Sequence, residues 1–580
     1  MSRQARKQTK PGVINWRHLF AIAAMGLVFF ALMARAAYIQ VVEPDRLRQE
    51  GDLRSVRVTS TQVPRGIITD RHGKELAISV PVQAVYADPK VVNKRGGLSD
   101  MRRWQALADV LGADRDELVA KVSEDPNRRF VYLQRQVTPV MADYIRKLKI
   151  PGVGLKRESK RYYPTGEVDA HVIGFTNIDD HGLEGIERTY DELLTGTNGK
   201  RKVRRDGLGR VVESLGQLQA PEKPQDITLT LDQRIQSLAY RELKKAVRYY
   251  EATSGSVVVV DVRSGEVLAM ANVPSYNPNN RANVKAYQLR NRAITDTFEP
   301  GSTVKPLAVV GALEHGSVSF DERVDTSPGW MRLGGSIVKD PRNRGRLDLA
   351  TILQTSSNMG VAKLALSISK DQLLGTFADF GFGSDTGLGL VGESSGIFHD
   401  TRSRWSDFEL ATLSFGYGLS VTPVQLARAY ALLGNNGKRR PLSIIKNGVE
   451  LPAEQVIDPE VANRVLTMME TVITDGSGKK AAVAGYRVAG KTGTSRKAVA
   501  GGYGDDYVAS FAGVAPVSDP RLAIVVMINE PGGELYYGSQ VAAPVFSAVM
   551  GGSLQLLNVP PDAATPEMKV AKTTKEDNHG

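Results

Sequence analysis

Ser302 and Lys305 stand three residues apart at the head of an apolar run, and nucleophilic chemistry in this chain centres on pairs of that kind. The sequence offers few other choices. It contains no cysteine, which removes thiol nucleophiles, zinc–thiolate sites and disulfides together. Its seven histidines are His18, His72, His171, His181, His315, His399 and His579, and none sits in a recognisable metal-ligand or Ser-His-Asp setting. A serine with a lysine as its base remains. On a helix, Ser-x-x-Lys puts both side chains on one face, a turn apart. The lysine can accept a proton only where burial or a nearby positive charge lowers its pKa.

The spacing alone is a weak signal. It occurs at Ser302/Lys305, Ser336/Lys339, Ser367/Lys370, Ser443/Lys446 and Ser477/Lys480. Context separates the first pair from the rest. Ser302 follows Glu299-Pro300-Gly301 and opens the run VKPLAVVGALEHG, which predicts a helix N-terminus where free N–H groups and the dipole favour a developing oxyanion. Pro306 is tolerated there because it falls in the first turns. Two further elements follow in order. Ser356-Ser357-Asn358 lies between helical patterns, and Lys491-Thr492-Gly493-Thr494 begins a strand-like run. Ser-x-Asn also recurs at Ser275-Tyr276-Asn277, whereas Lys-Thr-Gly-Thr occurs once. The three elements in this order resemble the motif set of serine β-lactamases and penicillin-binding proteins.

The elements that must position these residues are legible around them. Asp232 predicts a helix N-cap, with Ile235, Leu238, Ala239, Leu243, Ala246 and Val247 at helical spacing behind it. SVVVVDVRSGEVLAMANV reads as a β-hairpin turning at Arg263-Ser264-Gly265-Glu266. Two more strand runs, YVASFAGVAPV and RLAIVVMIN, flank a turn at Asp519-Pro520, and a last helix spans about 542–557. Strands at both ends with helices between them predict an α+β domain, an antiparallel sheet packed by helices.

Upstream, residues 43–224 mix strand-like pieces, a helix near Met101–Leu111 and a turn at Arg71-His72-Gly73, with no cofactor or phosphate motif. Before them, Leu19–Val42 is about 24 residues of apolar character interrupted by Arg35, enough to span a bilayer if Arg35 snorkels. Arg3, Arg6, Lys7, Lys10 and Arg17 precede it without an acidic residue, which predicts a cytoplasmic N-terminus and everything after Val42 outside. An uncleaved anchor is preferred over a signal peptide. The Ala34-Arg35-Ala36 site carries an arginine, and the apolar run exceeds a usual signal core. The net charge of +12 is spread along the chain and aromatic residues are 7%, which favours an anionic membrane or polymer over nucleic acid as its counterpart. The expected organisation is a basic tail at 1–18, an anchor at 19–42, a non-catalytic domain at 43–224, a catalytic domain at 225–560 and a disordered tail at 561–580.

The sequence resembles the class B penicillin-binding proteins, and within them the cell-division members, over nearly the whole chain. The resemblance is carried by RGIITDRHG (65–73), RYYPTGEVDAHVIGFTN (161–177), EGIERTYD (184–191), SYNPNN (275–280), FEPGSTVKP (298–306), SSNMG (356–360), FGYGLSVTPVQLARAYA (415–431) and GKTGTS (490–495). It implies a single-pass inner-membrane protein with its catalytic domain in the periplasm. The middle region would be a pedestal of the dimerisation type, and the catalytic domain would have the serine β-lactamase-like fold. The substrate would be a peptidoglycan stem peptide ending in D-Ala-D-Ala. Ser302 would attack the penultimate D-Ala carbonyl and release the last residue, and a neighbouring stem amine would take the acyl group. β-Lactams would mimic the donor.

On that reading Lys305 is the base, kept neutral by desolvation and by the Lys491 charge. Ser356 and Asn358 complete the relay and hold the substrate amide. The Ser302 and Thr494 backbone N–H groups form the oxyanion hole, and Lys491, Thr492 and Thr494 receive the terminal carboxylate. Strict alternation would separate Lys491 from Thr494, so Gly493 is expected to supply a twist or bulge. The stem peptide could add along this edge strand. The implied partners are a multi-spanning glycosyltransferase and other divisome proteins, and no metal or nucleotide is needed. The competing functions are a cell-elongation transpeptidase, a D,D-carboxypeptidase, and a non-catalytic scaffold or β-lactam sensor.

Overall fold

The computed structural model describes residues 16–61, 63–197, 199–206, 211–448, 452–499 and 501–563. The basic residues before 16 and residues 564–580 of the tail expected at 561–580 lie outside them. Helix α1 (Trp16–Val41) has no charged residue in its central turns and buries none of its side chains. It is long and apolar enough to cross a membrane, and it is the one such helix among the described residues. It fits an inner-membrane anchor of the kind the sequence predicts.

The chain divides into two compact units, Met1–Val63 with Gly196–Lys223, and Pro64–Thr195 with Pro224–Gly580. In the first, Val56–Thr61, Gly199–Arg205 and Val211–Gln219 form an antiparallel sheet with Gly199–Arg205 at its centre. In the second, the RGIITDRHG and EGIERTYD segments meet through buried charge. Glu187 accepts from Arg65 Nε and Arg161 Nε, each at 2.6 Å, so both arginines share one buried carboxylate. Charges so far from water persist only where they are paired and hydrogen-bonded.

Helix α2 (Gln233–Tyr249) starts where Asp232 caps it, accepting from Arg234 N–H. Strands β1 (Ser254–Asp261) and β2 (Val267–Val273) form the expected hairpin and are buried along their whole lengths. A 3₁₀ turn, Gly301–Val304, then leads into helix α3 (Lys305–Glu314), buried at nine of its ten positions. A short hairpin follows, β3 (Trp330–Leu333) and β4 (Ser336–Lys339), and then helix α4 (Asn358–Leu366), capped by Ser357. Helix α5 (Pro459–Thr474) precedes strands β5 (Ala489–Val499), β6 (Gly502–Ala515) and β7 (Leu522–Asn529), and helix α6 (Ala543–Leu556) completes the unit.

The five long strands make one antiparallel sheet in the order β2-β1-β7-β6-β5. Both faces are covered. Helices α2 and α6 pack on one, with Leu243, Phe511, Phe546 and Ile524 in its core, while α3, α4 and α5 contribute to the larger core on the other. That two-sided burial explains the unbroken VVVV and IVVM runs, where one-sided burial would have left an alternating pattern. Strand β5, which carries Lys-Thr-Gly-Thr, lies at the sheet's edge as expected.

Candidate active site

The nucleophile candidate sits on the 3₁₀ turn ahead of α3. In 3₁₀ geometry residues i and i+3 eclipse, so this turn stacks Ser302 over Lys305 more directly than an α-helix would. Gly301 enters the turn at φ 54°, a left-handed conformation that a side chain would strain. The turn is held from three sides. Gly301 N–H donates to Gly416 O (3.2 Å), Ser495 Oγ donates to Glu299 O (2.7 Å), and the buried Tyr430 hydroxyl donates to Thr303 O (2.7 Å).

Ser356 is the junction of the site. It is a non-glycine residue at φ 56°, ψ 43°, ending the helix Leu349–Thr355. Such a conformation costs on the order of 1–3 kcal/mol and persists where the surroundings impose it. The result is a hydroxyl aimed back at the 3₁₀ turn. Ser356 Oγ donates to Ser302 Oγ at 3.1 Å and receives Lys305 Nζ at 3.0 Å and Lys491 Nζ at 3.1 Å. Lys305 Nζ also donates to Ser356 O (2.6 Å) and Asn358 Oδ1 (2.7 Å). Among the described residues Lys305 makes no direct hydrogen bond to Ser302, and Ser356 connects them.

Both amines are fully buried. Burial first, and then the Lys491 charge, push the Lys305 pKa well below the ordinary lysine value, against a smaller upward pull from Asp340. Burial alone brings Lys491 down to about 7. A neutral Lys305 has two N–H groups for its two shortest contacts, Ser356 O and Asn358 Oδ1. Its lone pair then faces Ser356 Oγ. This arrangement can carry a proton from Ser302 through Ser356 to Lys305 by reorienting two hydroxyls.

The strand side departs from expectation at Gly493. Lys491, Thr492, Gly493 and Thr494 pair in unbroken register with Ala512, Phe511, Ser510 and Ala509, and the irregularity in β5 comes later, between Arg496 and Ala498. There is no bulge at Gly493. A Cβ there would stand 2.3 Å from Ser510 Oγ, 2.8 Å from Thr303 Cγ2 and 2.9 Å from Pro300 O. The glycine is needed for close approach of the nucleophile turn to the strand. Simple alternation then sends Lys491 to Ser356 and the threonines to the other side. Thr492 Oγ1 meets Ser477 Oγ at 2.9 Å. Thr494 Oγ1 accepts from Gly538 N–H at 2.9 Å, which leaves its own hydroxyl proton for another acceptor.

Two participants escaped the sequence reading. Asp340 is buried, and Oδ1 accepts from the backbone N–H groups of Asn358 (2.6 Å) and Met359 (3.1 Å) while Oδ2 takes the Ser357 hydroxyl. A carboxylate at the start of α4 thus anchors the Ser-Ser-Asn turn. Ser477 joins Thr492 from the turn after α5. Both lie in or beside other Ser-x-x-Lys repeats, Ser336/Lys339 and Ser477/Lys480. No local pattern marks them, since each acts through a contact distant in sequence.

The family model for the penicillin-binding protein transpeptidase domain matches residues 255–551, and that for the penicillin-binding protein dimerisation domain matches residues 60–229. The peptidoglycan D,D-transpeptidase FtsI of Escherichia coli K12 is 50% identical over 562 residues, covering 97% of this chain and 95% of its own. The chain belongs to the class B penicillin-binding proteins. Solved structures agree with this family fold. A peptidoglycan synthetase from Bifidobacterium adolescentis aligns over 88% of this chain and 98% of its own with TM-score 0.69 at 28% identity. The transpeptidase domain of penicillin-binding protein 3 from Burkholderia pseudomallei aligns over 58% of this chain and 98% of its own with TM-score 0.53 at 38% identity. The α+β reading, with one N-terminal apolar helix and a transpeptidase domain of this fold, therefore stands. So does the reading of this penicillin-binding protein as a close relative of the cell-division enzymes.

Proposed function

We propose that this protein is a septal peptidoglycan D,D-transpeptidase that works through an acyl-enzyme on Ser302. One observation carries the residue roles: Ser302 Oγ, Ser356 Oγ and the amines of Lys305 and Lys491 lie in one chain of contacts of 3.0–3.1 Å, with both amines buried. Ser302 is the nucleophile and Lys305 the base. The Ser302 proton passes to Lys305 by way of Ser356, and the Oγ–carbonyl bond forms as it leaves. The bond to the last D-Ala then breaks, and Ser356 returns the proton to the departing amine. Asn358 holds the donor amide. The backbone N–H groups of Ser302 and Thr494 face the oxyanion, and donors there favour charge that develops in the transition state. Thr492 and Thr494, on one side of the strand, offer their hydroxyls to the terminal carboxylate, Lys491 adds its charge from the Ser356 side, and Gly493 lets the nucleophile turn approach the strand. An acceptor amine from a neighbouring stem takes the acyl group and frees Ser302.

In the same reading residues 225–560 are the catalytic domain and 43–224 the pedestal. The N-terminal tail is cytoplasmic and both domains are periplasmic, in keeping with the basic residues ahead of α1. The substrate is a stem peptide ending in D-Ala-D-Ala and β-lactams act as its mimics. A multi-spanning glycosyltransferase and other divisome proteins are the partners, in keeping with the likeness to FtsI over nearly the full chain.

The test is a donor assay on detergent-purified full-length protein. A peptide donor ending in D-Ala-D-Ala is supplied with and without a D-amino-acid acceptor, and D-Ala release and the ligated product are followed by mass spectrometry. A ligated product that grows with acceptor concentration is expected. Release of D-Ala with only water-hydrolysed product would overturn transpeptidation in favour of a carboxypeptidase.

A further inference from the structure

The β3–β4 hairpin has two unlike faces. Its register pairs Trp330 with Lys339, Met331 with Val338, Arg332 with Ile337 and Leu333 with Ser336. Alternation therefore puts Met331, Leu333 and Val338 on one side, where they pack against the main core. The other side presents Trp330, Arg332, Ile337 and Lys339. Trp330 is 50% exposed and Ile337 49% exposed, large values for apolar side chains set beside each other. With Arg342 from the following loop, this face lines an open surface hollow of about 570 Å³.

The charge of this hollow is one-sided. Among the described residues Arg332, Lys339 and Arg342 form no ion pair. The one acid in the lining, Asp340, is buried and gives both oxygens to Ser357, Asn358 and Met359. Three cations around an exposed indole suit an anionic ligand with flat, C–H-lined faces. An amino-sugar polymer with carboxylate-bearing peptides has that chemistry: a pyranose face can lie on the indole while carboxylates meet the guanidinium forks. The position favours this ligand over an acidic partner protein. Asn358 Nδ2 donates to Lys339 O at 3.4 Å, so the wall of the hollow runs directly into the Ser-Ser-Asn turn of the candidate active site. A polymer seated here is within a residue or two of the cleft that receives its peptides.

We propose that the exposed face of the β3–β4 hairpin, through Trp330, Arg332 and Arg342, binds a segment of the glycan–peptide polymer beside the reacting stem. The proposal rests on the transpeptidase reading above and adds a subsite to it. The site contributes affinity for polymer and nothing to small substrates, since a β-lactam occupies only the Ser302 cleft.

The test uses full-length protein in detergent, wild type, Arg332→Ala/Arg342→Ala and Trp330→Ala. Two quantities are measured: the second-order rate of acylation by a fluorescent penicillin, and the Kd for soluble, uncross-linked glycan strands bearing pentapeptides. The double variant should bind strands at least tenfold more weakly while acylating within twofold of wild type, which also shows that it is folded. Trp330→Ala should weaken strand binding with its salt dependence intact, whereas the double variant should lose most of that dependence. Strand binding equal to wild type in both variants would overturn the subsite. Loss of an acidic protein partner with strand binding unchanged would overturn it too and assign the surface to that partner. Absence of any penicillin adduct on wild type would instead bring down the transpeptidase reading on which the subsite depends.

Discussion

Replacing Lys305 with Met lowers the rate of Ser302 acylation by about 10²–10⁴-fold, the range expected when a positioned general base is lost. Met keeps most of the buried volume and removes the amine. Asn358 offers an amide, and Ser356 is a carrier with no basicity of its own. The other amine at the relay, Lys491, also meets Ser356 Oγ, and any residual acylation in the variant would pass through it. Stopped-flow acylation by a chromogenic β-lactam measures the effect, and thermal unfolding of the same sample separates it from misfolding. A loss of less than tenfold on folded protein would remove Lys305 from the base role. The wild-type pH profile follows from the same chemistry. A depressed pKa leaves the amine neutral, and able to accept a proton, down to lower pH than an ordinary lysine. Acylation therefore falls on the acid side as the amine becomes ammonium. With Lys491 brought to about 7 and both amines on one hydroxyl, the observed midpoint belongs to the pair.

Replacing Asp340 with Asn is expected to lower acylation by about 10- to 100-fold, on the scale of one buried charged hydrogen-bond anchor (~1.5–3 kcal/mol), and to shift the acid limb. Asp340 touches no reacting group. It sets the Ser-Ser-Asn turn through two backbone N–H groups and the Ser357 hydroxyl, and its charge favours the ammonium form of Lys305. The sign is fixed by that last effect. Neutralising Asp340 destabilises the Lys305 ammonium, lowers its pKa further, and moves the acid limb to lower pH. Ser357→Ala is the control, because it breaks one anchor and keeps the carboxylate. It should slow acylation with the limb unmoved. The other charge facing Lys305, Lys491 on β5, is unchanged in both variants. Equal limbs in wild type and Asp340→Asn would leave Asp340 a purely structural cap.

Much of this molecule is legible in its residue pattern, and the limits of legibility have physical causes. The Asp232 cap, the Arg263–Glu266 hairpin turn and the helix near Met101–Leu111 are local features decided by neighbours in sequence, and they fold as read. The three motifs mark Ser302, Ser356 and Lys491, but only folding brings residues 54 and 135 positions apart to 3.1 Å. Gly493 shows where a local rule fails. Alternation in β5 invited a bulge, whereas tertiary crowding by Ser510, Thr303 and Pro300 is what demands the glycine. Asp340 and Ser477 lie deeper still. An aspartate in a loop and a serine in a turn look like solvated residues until the helix N-terminus and strand they serve are packed against them. Ser356 is intermediate, since its motif is visible but the left-handed backbone that aims its hydroxyl is not.

Covalent labelling decides whether Ser302 is the acylated residue. Purified full-length protein and its Ser302→Ala variant are incubated with a fluorescent penicillin, then resolved on a denaturing gel and mapped by mass spectrometry. A stable one-to-one adduct on the wild-type peptide that contains Ser302, and no label on the folded variant, is the predicted result. Label that persists in Ser302→Ala, or folded wild type that takes none, would exclude Ser302 as the acylated nucleophile.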